Sequence, residues 1–157
     1  MNDDLPETAL RLTRRFAASR ERVFRAWTQS QTLVRWFCCP GDGYVGLGVE
    51  VDFEVDGQFR ASMRNPNDEI LVQFGTYCDI IEGERIVFTY AWEGVEFAEM
   101  MGETMVSVVF QSLGEATEVT LTHVGFPDDS LRDEHAWGWD GCFDALERLL
   151  ATKLGVA

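Results

Sequence analysis

The hydrophobic pattern of the chain changes period twice. Leu10, Leu12 and Phe16 alternate with polar residues, which predicts a first strand. In the next stretch, ASRERVFRAWTQSQTLVRWF, Val23, Phe24, Ala26 and Trp27 fall at helical spacing behind Ser19, a suitable N-cap. Leu33, Trp36 and Phe37 form a second short apolar stripe. Two short helices are therefore predicted, ending by Pro40 and Gly41.

From there the pattern alternates. VEVDFEV sets Val49, Val51, Phe53 and Val55 on one face, and Phe59, Ala61 and Met63 continue it past a turn at Asp56-Gly57. A three-residue loop, Val55 to Gly57, pairs Phe53 with Phe59 and Val51 with Ala61, with Gly57 in the left-handed position of a bulge. Around NPND, Met63 meets Ile70, Ala61 meets Val72 and Phe59 meets Phe74. Around EGE, Cys78 faces Phe88, Thr76 faces Tyr90 and Phe74 faces Trp92. Across SLGEAT, Phe110 faces Val119, Val108 faces Leu121 and Val106 faces His123. Each hairpin closes with its apolar residues on one shared face, which predicts a six-strand antiparallel meander.

The period then returns to helical in HAWGWDGCFDALERLL. His135, Trp139, Cys142, Phe143, Leu146 and Leu150 share one side, and Asp140, Asp144, Glu147 and Arg148 lie opposite. Asp144 and Arg148 read as a surface pair, and Ser130 with Asp133 as a capping box. Trp137 points off the apolar side, onto the surface, a loop or a neighbouring subunit. Gly138 and Gly141 interrupt the helical stretch. The order predicts an α+β domain of about seven strands (β-α-α-β6-α) whose apolar face is covered by the long C-terminal helix.

Composition narrows this further. The 157 residues suit one domain over 1–157, with an ordered core over 8–153. A hydrophobic fraction of 46% excludes disorder, and no apolar run approaches the ~20 residues of a membrane span. The start, MNDDLPET, has no basic or apolar leader, so a cytoplasmic location is expected. The net charge of −14, from 27 acids against 13 bases, repels phosphate backbones and anionic membranes. No nucleic-acid partner and no membrane insertion are expected. The four cysteines show no CxxC spacing; Cys78 and Cys142 read as buried small residues, and no metal or cofactor is expected. No HExxH, GxSxG, P-loop or GxGxxG motif is present.

Several stretches together resemble the SRPBCC (START-like, birch-pollen-allergen-fold) superfamily, most closely proteins related to the C-terminal domain of activators of the 90-kDa heat-shock protein ATPase. RVFRAWTQSQTLVRWF resembles the family's opening helix pair, and VEVDFEVDGQFRASM its first hairpin. FGTYCDIIEGERIVFTY resembles the middle strands, TEVTLTHVGF the last strand and HAWGWDGCFDALERL the closing helix. The Asp56-Gly57 and NPNDE turns depart from the family's glycine pattern, and Cys38-Cys39 belongs to no motif of it. The resemblance implies a helix-grip fold, a strongly curved antiparallel sheet wrapped around the long C-terminal helix with an elongated cavity between them. In that fold Gly138 would allow close approach of helix and strand. Members bind apolar small molecules, act as cyclases or hydrolases, or regulate a chaperone.

The leading expectation is a binding domain for an apolar or amphipathic small molecule. Trp27, Trp36, Phe59, Met63, Phe74 and Phe88 are expected to line its interior, joined by Tyr90, Trp92, Val108 and Leu121. His123, His135, Trp139 and Cys142 would complete the wall. Core packing is the alternative for each ring and aliphatic. For the histidines the alternatives are orienting a ligand, acid–base catalysis as in a polyketide cyclase, dehydratase or hydrolase, or a satisfied structural pair. Phe97, Met100 and Met101 suggest an adaptable lid, or a loop pinned by its apolar residues. Trp137 and that loop suit a homodimer surface, and the resemblance adds a chaperone as an expected partner.

Overall fold

The computed structural model describes residues 6–152. The leader reading of MNDDLPET, in its first five residues, and the end of the expected core at 153 lie outside the described residues. The elements run β1 (Leu10–Phe16), α1 (Arg20–Arg25), α2 (Ser30–Trp36), β2 (Val45–Val51), β3 (Gln58–Arg64) and β4 (Ile70–Ile81). β5 (Arg85–Glu93), α3 (Ala98–Met101), β6 (Thr104–Ser112), β7 (Thr117–Val124) and α4 (Asp129–Ala151) complete the chain. The seven strands form one antiparallel sheet in the order β1-β7-β6-β5-β4-β3-β2, and α4 packs on β1 and α2. This is the helix-grip arrangement.

Local chemistry sets the helix ends. The Ser19 side chain accepts from the Arg22 amide, as its N-cap position predicts. At α4 the cap is Asp128, whose side chain accepts from the Leu131 amide, rather than the expected Ser130–Asp133 box. Asp144 reaches Arg14 on β1 at 2.7 Å instead of pairing with Arg148. Arg14 also binds Asp140 at 2.6 Å, and its guanidinium lies 5.8 Å from the centre of the Phe143 ring, so it ties the first strand to the last helix.

The β6–β7 register is as predicted, with Val106 opposite His123 and Phe110 opposite Val119. Three other registers differ. Val51 pairs with Phe59 and Val49 with Ala61, because the chain leaves β2 at Val51 and folds through a longer loop. In that loop Asp56, not Gly57, takes the left-handed conformation (φ 73°). Gly57 is needed for space: a Cβ there would overlap the Asp52 carbonyl oxygen.

The β3–β4 turn holds five residues rather than four, with Arg64 opposite Ile70 and Ala61 opposite Gln73. The Asn65 side chain accepts from the Asn67 and Glu69 amides, and Asp68 is left-handed, which inserts the extra residue. A one-residue slip exchanges the faces. Gln73 therefore turns inward, and Phe74 lies on the outer face, 37% exposed, rather than in the interior. Between β4 and β5 the pairing shifts at Cys78, so Tyr77 instead of Cys78 opposes Phe88. Cys78 is exposed, contrary to its reading as a buried packing residue.

Candidate functional site

α4 meets the rest of the molecule in two ways. Along its C-terminal half Phe143 is fully buried, edge-on to Phe16 at 5.6 Å and to Trp27 at 6.2 Å. Trp27 lies 4.6 Å from Trp36, and Trp36 donates its indole hydrogen to the Ala26 carbonyl at 2.9 Å. Gly141 abuts the loop after α2: a Cβ there would overlap the Pro40 carbonyl oxygen. The close approach expected at Gly138 therefore belongs to Gly141, and the neighbour is a loop rather than a strand. At Gly138 a Cβ would meet only the Pro40 Cβ, at an ordinary 3.7 Å.

Beside Gly138 the helix stands off from the sheet and leaves a cavity of about 310 Å³. Six of the predicted residues line it: Met63, Tyr90, Trp92, His135, Trp139 and Cys142. Trp27, Phe59 and Phe88 instead border a much smaller internal void, together with Phe37 and Tyr77. Trp36, Val108, Leu121 and His123 are buried in the packed core away from the cavity. Sequence reasoning did not assign Phe37, Pro40, Tyr44, Leu71, Gln73 or Glu134 to the wall, and it placed Trp137 elsewhere. Gln73 was hidden by the register slip, and the loop residues have no periodicity to betray them. Phe97 of the expected lid does reach the cavity, packing on Trp92 and on His135 at 5.9 Å each.

The polar groups of the wall are tied to one another. Trp92 donates its indole hydrogen to His135 Nε2 at 2.9 Å, so the imidazole proton sits on Nδ1 and is donated to the Leu131 carbonyl at 2.8 Å. Trp139 donates to His123 Nδ1 at 3.1 Å. The His123 proton is then on Nε2, donated to Thr104 Oγ1 at 2.7 Å, and the threonine hydroxyl donates to the Tyr90 carbonyl. Both histidines are neutral, opposite tautomers, each with an indole on its lone pair. Burial depresses the pKa of both, His123 strongly, and the neighbouring His135 adds to the effect there.

Tyr90 donates its hydroxyl to Gln73 Oε1 at 2.5 Å, and Gln73 Nε2 donates to the Phe37 carbonyl at 3.2 Å. Burial raises the Tyr90 and Cys142 pKa values well above their ordinary levels and pushes Cys38 up to about 12. These thiols are therefore protonated packing groups, not nucleophiles. Among the described residues no three His, Cys, Asp or Glu side chains cluster so as to hold a metal ion. No helix among them is long and apolar enough to cross a membrane.

A curved antiparallel sheet closed by one long helix, with the cavity between them, defines a helix-grip protein of the SRPBCC type. Residues 17–151 match the model of the family described as Activator of Hsp90 ATPase homolog 1-like protein, and the chain belongs to that family. Solved structures agree on the fold. The AHSA1 protein from Silicibacter pomeroyi is 22% identical with a TM-score of 0.76, over 91% of this chain and 97% of that one. A Rhodobacter sphaeroides protein is 19% identical with a TM-score of 0.78, over 95% and 96%. A protein from Chromobacterium violaceum is 23% identical with a TM-score of 0.75, over 90% and 96%. Among curated proteins none matches.

Proposed function

We propose that the protein binds an apolar or amphipathic small molecule in the cavity between its sheet and α4. One observation carries this: about 310 Å³ of space, walled mainly by aromatic and aliphatic side chains, remains open beside a helical glycine that no protein contact requires. Ligand pockets generally span about 300–1,000 Å³ and are lined in this way. An acid–base enzyme built on the histidines is disfavoured, since a substrate would have to displace an indole or break an existing hydrogen bond to reach either ring nitrogen.

Native mass spectrometry of gently purified protein tests the reading. A reproducible extra mass that denaturation releases is the expected result. A bare protein mass, with no uptake of added apolar compounds, would overturn it.

The family description supports a second reading, regulation of a chaperone, for which the exposed Trp137 and Met100 would supply contacts. Stimulation of a 90-kDa heat-shock protein ATPase by this chain, lost in Trp137→Ala, would favour it. No recovery of the chaperone in a pull-down and no stimulation would remove it.

A further inference from the structure

The rim of the cavity differs in chemistry from its depth. The deep wall consists of buried side chains whose polar atoms are engaged with each other. The lining residues that still reach solvent include Tyr44, Trp92, Phe97, Glu134 and Trp137. Four of these are aromatic rings and the fifth is a carboxylate. Trp137 is 58% exposed yet held in place: its ring lies against Gly41, where an added Cβ would come within 2.9 Å of it, and 6.3 Å from the Tyr44 ring. Phe97 packs against Trp92 at 5.9 Å. Two ordered ring pairs thus stand at the opening, and Glu134 shares one stripe of α4 with Trp137 and Gly138, three and four residues on.

No lysine or arginine among the described residues lines this cavity; Arg35 and Arg148 line the separate groove on the other side of Gly41 and Tyr44, together with Asp42. The segment 94–103, which carries Phe97 and α3, holds three glutamates and no basic residue, while Glu93 before it pairs with Arg60. Arg132, the basic residue nearest Glu134 in sequence, is engaged by Asp133 at 2.9 Å and by the Glu7 carbonyl. Both buried histidines are neutral. Screening limits a charge's reach to about 8 Å at physiological salt, so these local charges, more than the total of −14, decide what the mouth accepts.

Resting on the binding role above, we propose that the site selects a cation: its ligand is an apolar amine or quaternary ammonium compound. The hydrophobic body enters beside Gly138, and the charge stays at the rim among Trp137, Tyr44, Trp92 and Glu134. Aromatic faces attract cations through their quadrupoles, and quaternary ammonium groups are commonly held in such cages. A fatty-acid carboxylate would meet the same faces and Glu134 with no cation in the cavity wall to compensate, so it binds less tightly than the amine.

Three probes with one body separate the two layers of this reading: 2-naphthylmethylamine, 2-naphthylmethanol and 2-naphthoate, titrated by calorimetry. The amine should bind about tenfold more tightly than the naphthoate, with the alcohol between them. Raising salt from about 0.02 to about 0.5 M should weaken the amine and leave the alcohol unchanged. Glu134→Gln should lower the amine affinity by about three- to tenfold with the alcohol constant, and Trp137→Leu should act in the same direction. Naphthoate binding as tightly as the amine, or an amine-to-alcohol ratio indifferent to both salt and Glu134→Gln, would overturn cation selection while leaving the binding role intact. Failure of all three probes to bind would overturn both.

Discussion

Two glycines three residues apart in α4 show how differently the halves of one helix are used. Gly141 is pressed on the Pro40 carbonyl, so its missing side chain is a packing requirement. Gly138 has room for a methyl group and borders the cavity. Glycine costs a helix interior about 1 kcal/mol relative to alanine, and at Gly141 the close contact explains that cost. At Gly138 no protein contact does. The C-terminal half of α4 closes the core through Phe143 and Leu146; the N-terminal half, with His135, Trp137 and Trp139, borders open space. The difference separates positions closed by packing from positions that border open space.

Substitutions should divide along the same line. Phe143→Ala, in the sealed half, is expected to cost about 3–5 kcal/mol in urea unfolding, and a loss below about 1 kcal/mol would contradict tight packing there. Gly141→Ala should cost about 1–3 kcal/mol despite its better helix propensity. A stabilised Gly141→Ala protein would show that the Pro40 loop yields freely.

The paired histidines give a smaller, pH-dependent effect. Their folded-state pKa values lie below the ordinary 6.5, so below that pH the unfolded chain binds more protons than the folded one. Stability is fully present above pH 6.5 and falls as the pH drops from there through the depressed folded-state values. The expected loss between about pH 7.5 and about pH 5.5 is no more than about 1.4 kcal/mol per histidine. A urea midpoint that is flat from pH 7.5 to pH 5.5 would contradict the two neutral tautomers.

Gly138→Ala should give the smallest change and the opposite sign, a gain of up to about 1 kcal/mol with weaker ligand binding. Destabilisation there would mean that the two glycines are alike after all.

Those two glycines also mark the limit of what the sequence reveals. Period alone gave the order of the strands and both faces of α4, because burial of one face imposes the alternation directly, but it set the second strand over Val49–Val55 where β2 runs Val45–Val51. Registers depend instead on loop length, and loop length depends on side chains such as Asn65 that capture backbone amides. That single added residue put Phe74 outside and Gln73 inside. The cavity wall was half legible for a related reason. Met63, Tyr90, Trp92, His135, Trp139 and Cys142 sit on regular elements whose inward face can be read from spacing. Pro40 and Tyr44 come from a loop, where position follows from contacts and not from period. Whether an inward ring packs or lines a cavity is decided by the standoff of α4 from the sheet, to which no spacing rule refers.

The five tryptophans allow the central claim to be tested at the level of single residues. Indole N–H signals in an ¹⁵N-labelled sample, followed by NMR during titration with neutral 2-naphthylmethanol, report on both halves at once. If the cavity beside Gly138 is the binding site, the signals of Trp92, Trp137 and Trp139 move together and saturate while Trp36 stays fixed. Equal shifts at all five indoles, or movement confined to Trp27 and Trp36, would contradict it.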